Sequence, residues 1–361
     1  MSPRPRRWTA AWLLLPVLLG ACGGESGGGP SPAPESDAPR ALPAGFTTLP
    51  TLQGNPLTPE GVSLGRWLFH SPVLSSTGQV SCATCHPQAH AFAHDTPLTR
   101  RGVSGRPLAR HTPALINLAW TGELFWDGGV KNLESLSLAP LTHPDELGQA
   151  DLAGLLERLA SQPEAVRRFE AAFGPEGLSL GNLLRALAQF QRTLVSADSR
   201  YDRWRRGEQG GVLSHQEQAG FELVQRRCGP CHGTELFTDN AFHNNGLDSH
   251  FGAGEDVRRG RGRVTQRAED DGRYKTPTLR NVARSAPYMH DGRFATLDAV
   301  LEHYRHGMVP SATLEPLFQR GSAPPGLSLE DGEKAAILAF LETLTDESFL
   351  TDSRLGPPEA P

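Results

Sequence analysis

Apolar positions recur at helical spacing in four stretches of the chain. Thr58-Pro59 supplies an N-cap followed by proline at the first helical position. Val62, Trp67 and Leu68 then lead to Leu74. A long amphipathic run of Leu183, Leu184, Leu187, Phe190 and Leu194 ends before Asp198. Ser214 opens a third helix through Ala219, Phe221 and Val224. Ser328 with Asp331 opens a last one carrying Ile337, Leu338, Phe340, Leu341 and Leu344. Gly and Pro punctuate the stretches between, and no run sustains strand alternation. The pattern predicts an all-α protein with long irregular loops.

The N-terminus follows a different pattern. Arg4, Arg6 and Arg7 precede an apolar run from Ala10 to Leu19, too short to span a bilayer comfortably and suited to an export signal. Leu19-Gly20-Ala21-Cys22 resembles the cleavage site of bacterial lipoproteins. That resemblance makes residues 1–21 a signal peptide and Cys22 a lipid anchor facing the periplasm. The alternative is an ordinary secretory signal with Cys22 incidental. Gly and Pro fill nine of the eighteen positions of 23–40, so residues 22–45 are expected to be a flexible tether.

At 361 residues the chain is long enough for two domains, at roughly 150 residues each. With 38% hydrophobic and 21% charged residues it is no disordered polymer. The net charge of −5 argues against nucleic acid as a partner. Only three of the 35 basic residues are lysines (Lys131, Lys275 and Lys334), which reads as compositional drift.

Of five cysteines, four remain once Cys22 is set aside. They read Cys82-Ala83-Thr84-Cys85-His86 and Cys228-Gly229-Pro230-Cys231-His232. C-x-x-C-H is the attachment signature of a c-type haem: two thiols add to the vinyl groups, and the adjacent imidazole reaches the iron. Two disulfides would leave a histidine after each pair unexplained. A zinc site usually separates its pairs by about 15–20 residues, whereas Cys85 and Cys228 are 143 apart. The chain is therefore expected to carry two covalent haems, in cytochrome c-like domains over 46–204 and 205–350 with a tail at 351–361.

Beyond these motifs the chain resembles the bacterial di-haem cytochrome c peroxidase family, including its MauG-like branch. The resemblance spans nearly all of residues 46–350. It rests on Ser81–His86, Phe125-Trp126-Asp127-Gly128, Leu187–Asp202, Thr276–Asn281 and Pro287–Tyr304. It implies a peroxide-reactive haem on His86 and an electron-transfer haem on His232. It implies hydrogen peroxide as substrate and a small donor, a cytochrome c or a cupredoxin. It leaves open a homodimer, a MauG-like enzyme that oxidises a side chain of a partner protein, and a non-enzymatic electron carrier. Two domains of this family form the expected fold.

The resemblance also implies roles for single residues. Glu146 in His143-Pro144-Asp145-Glu146-Leu147 takes the place of the distal carboxylate that moves a proton between peroxide oxygens, with Asp145 as runner-up. The other reading of Glu146 is an acid at a helix N-terminus. Trp126 takes the place of an electron relay between the haems; its plainer reading is a core aromatic. Gly129 and Leu136 depart from the family's Arg and Gln near it. The distal ligand of the second haem falls on Tyr304, with Met308 as the alternative. A thioether raises a haem potential, and a phenolate favours the higher oxidation states. Calcium would draw on the carbonyls of Ser285 and Pro287, but His111 replaces the family's Asn, and imidazole suits a hard cation poorly. The distal position of the first haem falls on Val103, which cannot ligate iron. His90, His94 and His111 are the stand-ins. The first haem is thus expected to be five-coordinate at rest. A ferric absorption and EPR spectrum should show one high-spin centre; two purely six-coordinate low-spin centres would refute the open position.

Overall fold

The computed structural model describes residues 41–254, 256–321 and 323–358. The signal peptide, Cys22 and all of the tether before residue 41 lie outside them. Helix α1 (Pro59–His70) begins where the sequence predicts: Thr58 Oγ1 accepts from Gly61 N–H at 3.1 Å. It buries Val62, Leu64, Leu68 and Phe69. Helix α2 (Leu180–Thr193) is capped by Ser179 and turns Leu183, Leu187 and Phe190 onto α1. In the second half, α3 (His215–Leu223) has a capping box of Ser214 and Glu217, and α4 (Asp331–Glu342) packs across it through Ala336, Ile337 and Phe340. Helix α4 starts with Glu330 as its N-cap, not Ser328, because Leu329 between them turns into the core.

Both helix pairs cross at a glycine. A Cβ on Gly65 would run into the Ala186 carbonyl and the Phe190 Cβ; one on Gly220 would meet the Ala336 carbonyl and the Phe340 Cβ. The same contact thus recurs in each half. The repeat extends further. Thr112-Pro113-Ala114-Leu115-Ile116-Asn117 and Thr276-Pro277-Thr278-Leu279-Arg280-Asn281 both end on an asparagine at φ 56°. Asn117 N–H bonds to Leu194 O at 2.9 Å and Asn281 N–H to Leu344 O at 3.0 Å, just past α2 and α4.

The described residues belong to one compact unit, within which the apolar core is parted. One cluster centres on α1 and α2; a second joins Tyr201, Val224, Phe237, Phe340 and Leu344; a small third holds Met308, Leu314 and Phe318. Phe349, Leu350 and Leu355 return to the first cluster. Gln88 donates to the Phe349 and Asp352 carbonyls, both at 2.9 Å, and Arg66 Nε to the Gly356 carbonyl at 2.8 Å. The stretch after α4 therefore ties back to the beginning of the chain.

The fold is helix-rich, with one ladder the sequence did not announce. Strands β1 (Phe242–His243) and β2 (Tyr274–Lys275) pair antiparallel, Phe242 opposite Lys275. Two residues are too few for alternation to register. Arg280 is sealed inside, donating to both Asp202 oxygens at 2.8 and 2.9 Å, so the buried charge is paired in bidentate geometry. No helix among the described residues is long and apolar enough to cross a membrane.

Overpacking a closed interface typically costs about 1–3 kcal/mol. Gly65→Ala and Gly220→Ala should each lower unfolding stability by at least about that much, read as a drop in Tm. An alanine at either position that left Tm unchanged would show that the helices can part freely.

Candidate active site

Ser81 precedes the first attachment turn, Cys82–Cys85, and its N–H donates to Thr84 Oγ1 at 3.0 Å. His86 closes that turn, with its N–H on Cys82 O at 2.9 Å. Its Nδ1 lies 2.6 Å from the Phe92 carbonyl. Ala91 and Phe92 both take positive φ, which swings that carbonyl back toward the ring. Nδ1 must carry the proton to bond a carbonyl, so Nε2 keeps its lone pair. Burial pulls the His86 pKa down to about 4, holding the ring in the neutral form a metal ligand requires.

The second half repeats this with different backbone. Helix α3 runs on into a π-helical turn, Val224–Cys228, and then Gly229–His232. His232 Nδ1 meets the Phe237 carbonyl at 2.8 Å, and Phe237 again has positive φ. Burial lowers the His232 pKa as well. The four described cysteines form no disulfide. Burial raises Cys82 and Cys228 to about 12 and Cys85 to about 11, so they are protonated. The four sulfurs do not gather at one point, which removes the zinc alternative: among the described residues the one metal-capable group is Cys231, Asp239 and His243.

Both attachment motifs open on one cavity of about 700 Å³. Much of its wall is apolar, including Phe69, Leu115, Leu124, Leu136, Val224 and Ile337. At each end it offers two thiols and an imidazole whose Nδ1 is held by a backbone carbonyl. That donor set and that lining fit covalently held haem.

Glu146 lines the cavity beside Cys85, and its charge contributes to raising that thiol. Burial raises the Glu146 pKa above the ordinary carboxylate range. The residue sits in a turn after the helix Leu138–Thr142, with its N–H on His143 O at 3.0 Å. It therefore does not head a helix. Asp145 points elsewhere: it binds Ser104 Oγ at 2.8 Å and Arg106 at 2.7 Å and does not line the cavity. Val103 donates its N–H to Glu146 O at 2.9 Å, so the expected distal position does lie beside Glu146. Of the stand-in histidines, only His111 faces the cavity. His94 is engaged by Thr96 N–H at 3.0 Å and by Thr99 at 3.2 Å, and His90 lies 4.0 Å from Asp95 at the surface.

Trp126 lines the same cavity where the halves meet. Its indole N–H donates to His111 O at 2.8 Å, and its carbonyl accepts from Lys275 N–H at 2.8 Å. His111 N–H in turn bonds to His290 O at 2.8 Å. Burial alone would raise neighbouring Asp127, but Arg110 and Arg263, each at 2.7 Å, outweigh it and hold the carboxyl below its usual range. Gly129 N–H also bonds to Asp127, at 3.1 Å, while Leu136 adds an apolar side chain to the wall.

At the second haem end the two ligand candidates separate. Tyr304 lines the cavity; Met308 does not, being packed with Leu314 and Phe318. Burial pushes the Tyr304 phenol up to about 12. Tyr304 lies in a second π-helical turn, His303–Gly307, a local widening common at functional sites. Met289, with φ 75°, also lines the cavity, as do Ser285 and Pro287.

Several lining residues escaped the sequence reading: Asn245, Lys275 and His290, the last stacked on Tyr274 at 3.7 Å. A signal existed for His290. Phe125-Trp126-Asp127-Gly128 and Met289-His290-Asp291-Gly292 occupy matching places in the two halves, each after a Thr-Pro-x-Leu-x-Asn segment.

Comparison with known proteins agrees with this geometry. Residues 59–210 match the family described as Di-haem cytochrome c peroxidase. The chain is 38% identical to the methylamine utilization protein MauG of Methylorubrum extorquens, covering 93% of this chain and 97% of that one. It is 32% identical to the cytochrome c peroxidase Ccp of Escherichia coli, covering 82% and 60%. Among solved structures, a MauG-like protein associated with microbial copper homeostasis matches with a TM-score of 0.79 at 32% identity, covering 88% of this chain and 98% of that one. With two attachment motifs opening on one cavity and full-length relatives of this kind, the chain belongs to the di-haem cytochrome c peroxidase family.

Proposed function

We propose that this protein reduces hydrogen peroxide to water with electrons from a small redox protein, a cytochrome c or a cupredoxin. The observation that carries this reading is that Glu146, Trp126 and both C-x-x-C-H motifs border one cavity. Two c-type haems, held by Cys82, Cys85 and His86 and by Cys228, Cys231 and His232, supply the iron that binds peroxide and the store that passes electrons. Hydrogen peroxide takes up two protons and two electrons and leaves as two waters.

The chain's own residues move the protons and hold the path. Glu146 would take a proton from one peroxide oxygen and return it to the other, and its raised pKa suits a group that must do both near neutrality. Trp126, fixed by His111 O and Lys275 N–H, stands where the halves meet and serves as the relay. Val103 brings no ligand to the first iron. Calcium at Ser285 and Pro287 is not needed for any of these steps. The same proposal keeps the protein facing the periplasm, lipid-anchored at Cys22.

One observation favours a second reading. Tyr304 faces the cavity and Met308 does not, and an oxygen ligand favours retention of oxidising equivalents. A MauG-like enzyme would spend them on a side chain of a partner protein. A pure electron carrier has no use for a buried carboxyl on the cavity wall beside an attachment motif.

Glu146→Gln should lower peroxide-dependent oxidation of reduced cytochrome c by about 10²–10⁴-fold. In the wild type the rate should rise with pH as Glu146 loses its proton, at a pKa above the ordinary carboxylate range; that limb should vanish in the variant. Near-normal turnover of Glu146→Gln refutes the assignment. To decide the electron source, peroxide is added to the oxidised enzyme and reduced cytochrome c follows. Prompt, repeated donor oxidation is expected. An oxidised state that persists beside unreacted donor would transfer the conclusion to the MauG-like reading.

A further inference from the structure

Asn245 is a polar residue of the cavity wall that the steps above leave unused. It sits just after β1 in a loop pinned from several sides. Asn244 Oδ1 accepts from Gly246 N–H at 2.9 Å, and Asn244 Nδ2 donates to Ser311 Oγ at 3.0 Å and Thr313 Oγ1 at 2.8 Å. The Asn245 carbonyl lies 2.9 Å from His303 Nε2, and Gly246 O accepts from Val309 N–H at 2.9 Å. The carboxamide is thereby aimed: Asn245 Nδ2 is 3.3 Å from the Tyr304 phenol oxygen and 3.5 Å from Met289 Sδ. No other side chain among the described residues hydrogen-bonds that phenol oxygen.

An amide nitrogen can only donate. A donor at a phenol oxygen favours the charged form of that oxygen over the neutral one. We propose that Asn245 is a positioning residue for the second haem: its Nδ2–H holds the Tyr304 oxygen at the distal face, stabilises negative charge there and so sets that haem's potential. This rests on Tyr304 being the ligand and deepens that reading. His303 and Tyr304 are successive residues of one π-helical turn, so the loop and the ligand are clamped to the same backbone. Withdrawing the donor leaves the phenolate a stronger base, which favours ferric iron.

The test is spectroelectrochemistry of the di-haem enzyme in five forms: wild type, Asn245→Leu, Asn245→Asp, Tyr304→Phe and Asn245→Leu with Tyr304→Phe. Leucine keeps the branched shape and the carbonyl that His303 holds. Asn245→Leu should move the second haem about tenfold toward ferric, a fall of about 59 mV for one electron, with the first haem unmoved. Asn245→Asp, which faces the oxygen with a like charge, should abolish the phenolate-to-iron absorption. In the Tyr304→Phe background Asn245→Leu should have no further effect. An unshifted potential in Asn245→Leu, when Tyr304→Phe does shift it, overturns the Asn245 role alone. An equal shift in both backgrounds makes Asn245 structural and also overturns it. A second-haem spectrum unchanged in Tyr304→Phe removes the Tyr304 reading on which the inference stands.

Discussion

The imidazole that follows each cysteine pair has one nitrogen bound to a backbone carbonyl, and much of the site follows from that bond. His86 Nδ1 to Phe92 O and His232 Nδ1 to Phe237 O fix the tautomer and leave Nε2 facing inward. The chain must return a carbonyl to the ring within five or six residues. It does so by bending through positive φ at Ala91 and Phe92 in one half and at Phe237 in the other. Phe92 and Phe237 are also fully buried, so one residue both orients the ligand and anchors the turn in its own core cluster. A neutral, oriented imidazole beside a pair of attachment thiols is then a consequence of packing.

Joining the halves takes a second device, buried charge that is paired at once. Asp127 is held by Arg110 and Arg263, and Asp202 by Arg280. Such pairs give little net stability, but leaving one partner buried alone is costly, so they punish any other arrangement of the same elements. Between them run the backbone bonds His111 N–H to His290 O and Lys275 N–H to Trp126 O. Trp126 is therefore immobilised by the same contacts that close the two halves on each other.

Parts of this were legible in the chain. The C-x-x-C-H motifs, the capped starts at Thr58 and Ser214 and the apolar runs of α2 and α4 are local signals, and local physics realised them. The Ser328 box gave way to Glu330 because burial of Leu329 outweighed a cap. Tyr304 over Met308 was an open choice in sequence, since the two stand four residues apart. Of the two, only Tyr304, in the widened π-helical turn, borders the cavity; Met308, just past that turn, is buried against Leu314 and Phe318. Asp145 and Glu146 are neighbours, yet only the second reaches the wall, because Ser104 and Arg106 draw the first away.

The sequence by itself determined the candidate groups: four thiols, two histidines and, through the family likeness, Glu146, Trp126 and Tyr304. It could do so because attachment spacing and helix periodicity are set within a few residues. Only the tertiary structure decided that both motifs share one cavity, that Asn245 and His290 border it, and that the stretch after α4 ties back to α1. Those outcomes depend on contacts between residues far apart in the chain, such as Asn245 with Tyr304 or Gln88 with Phe349, and no local pattern records them.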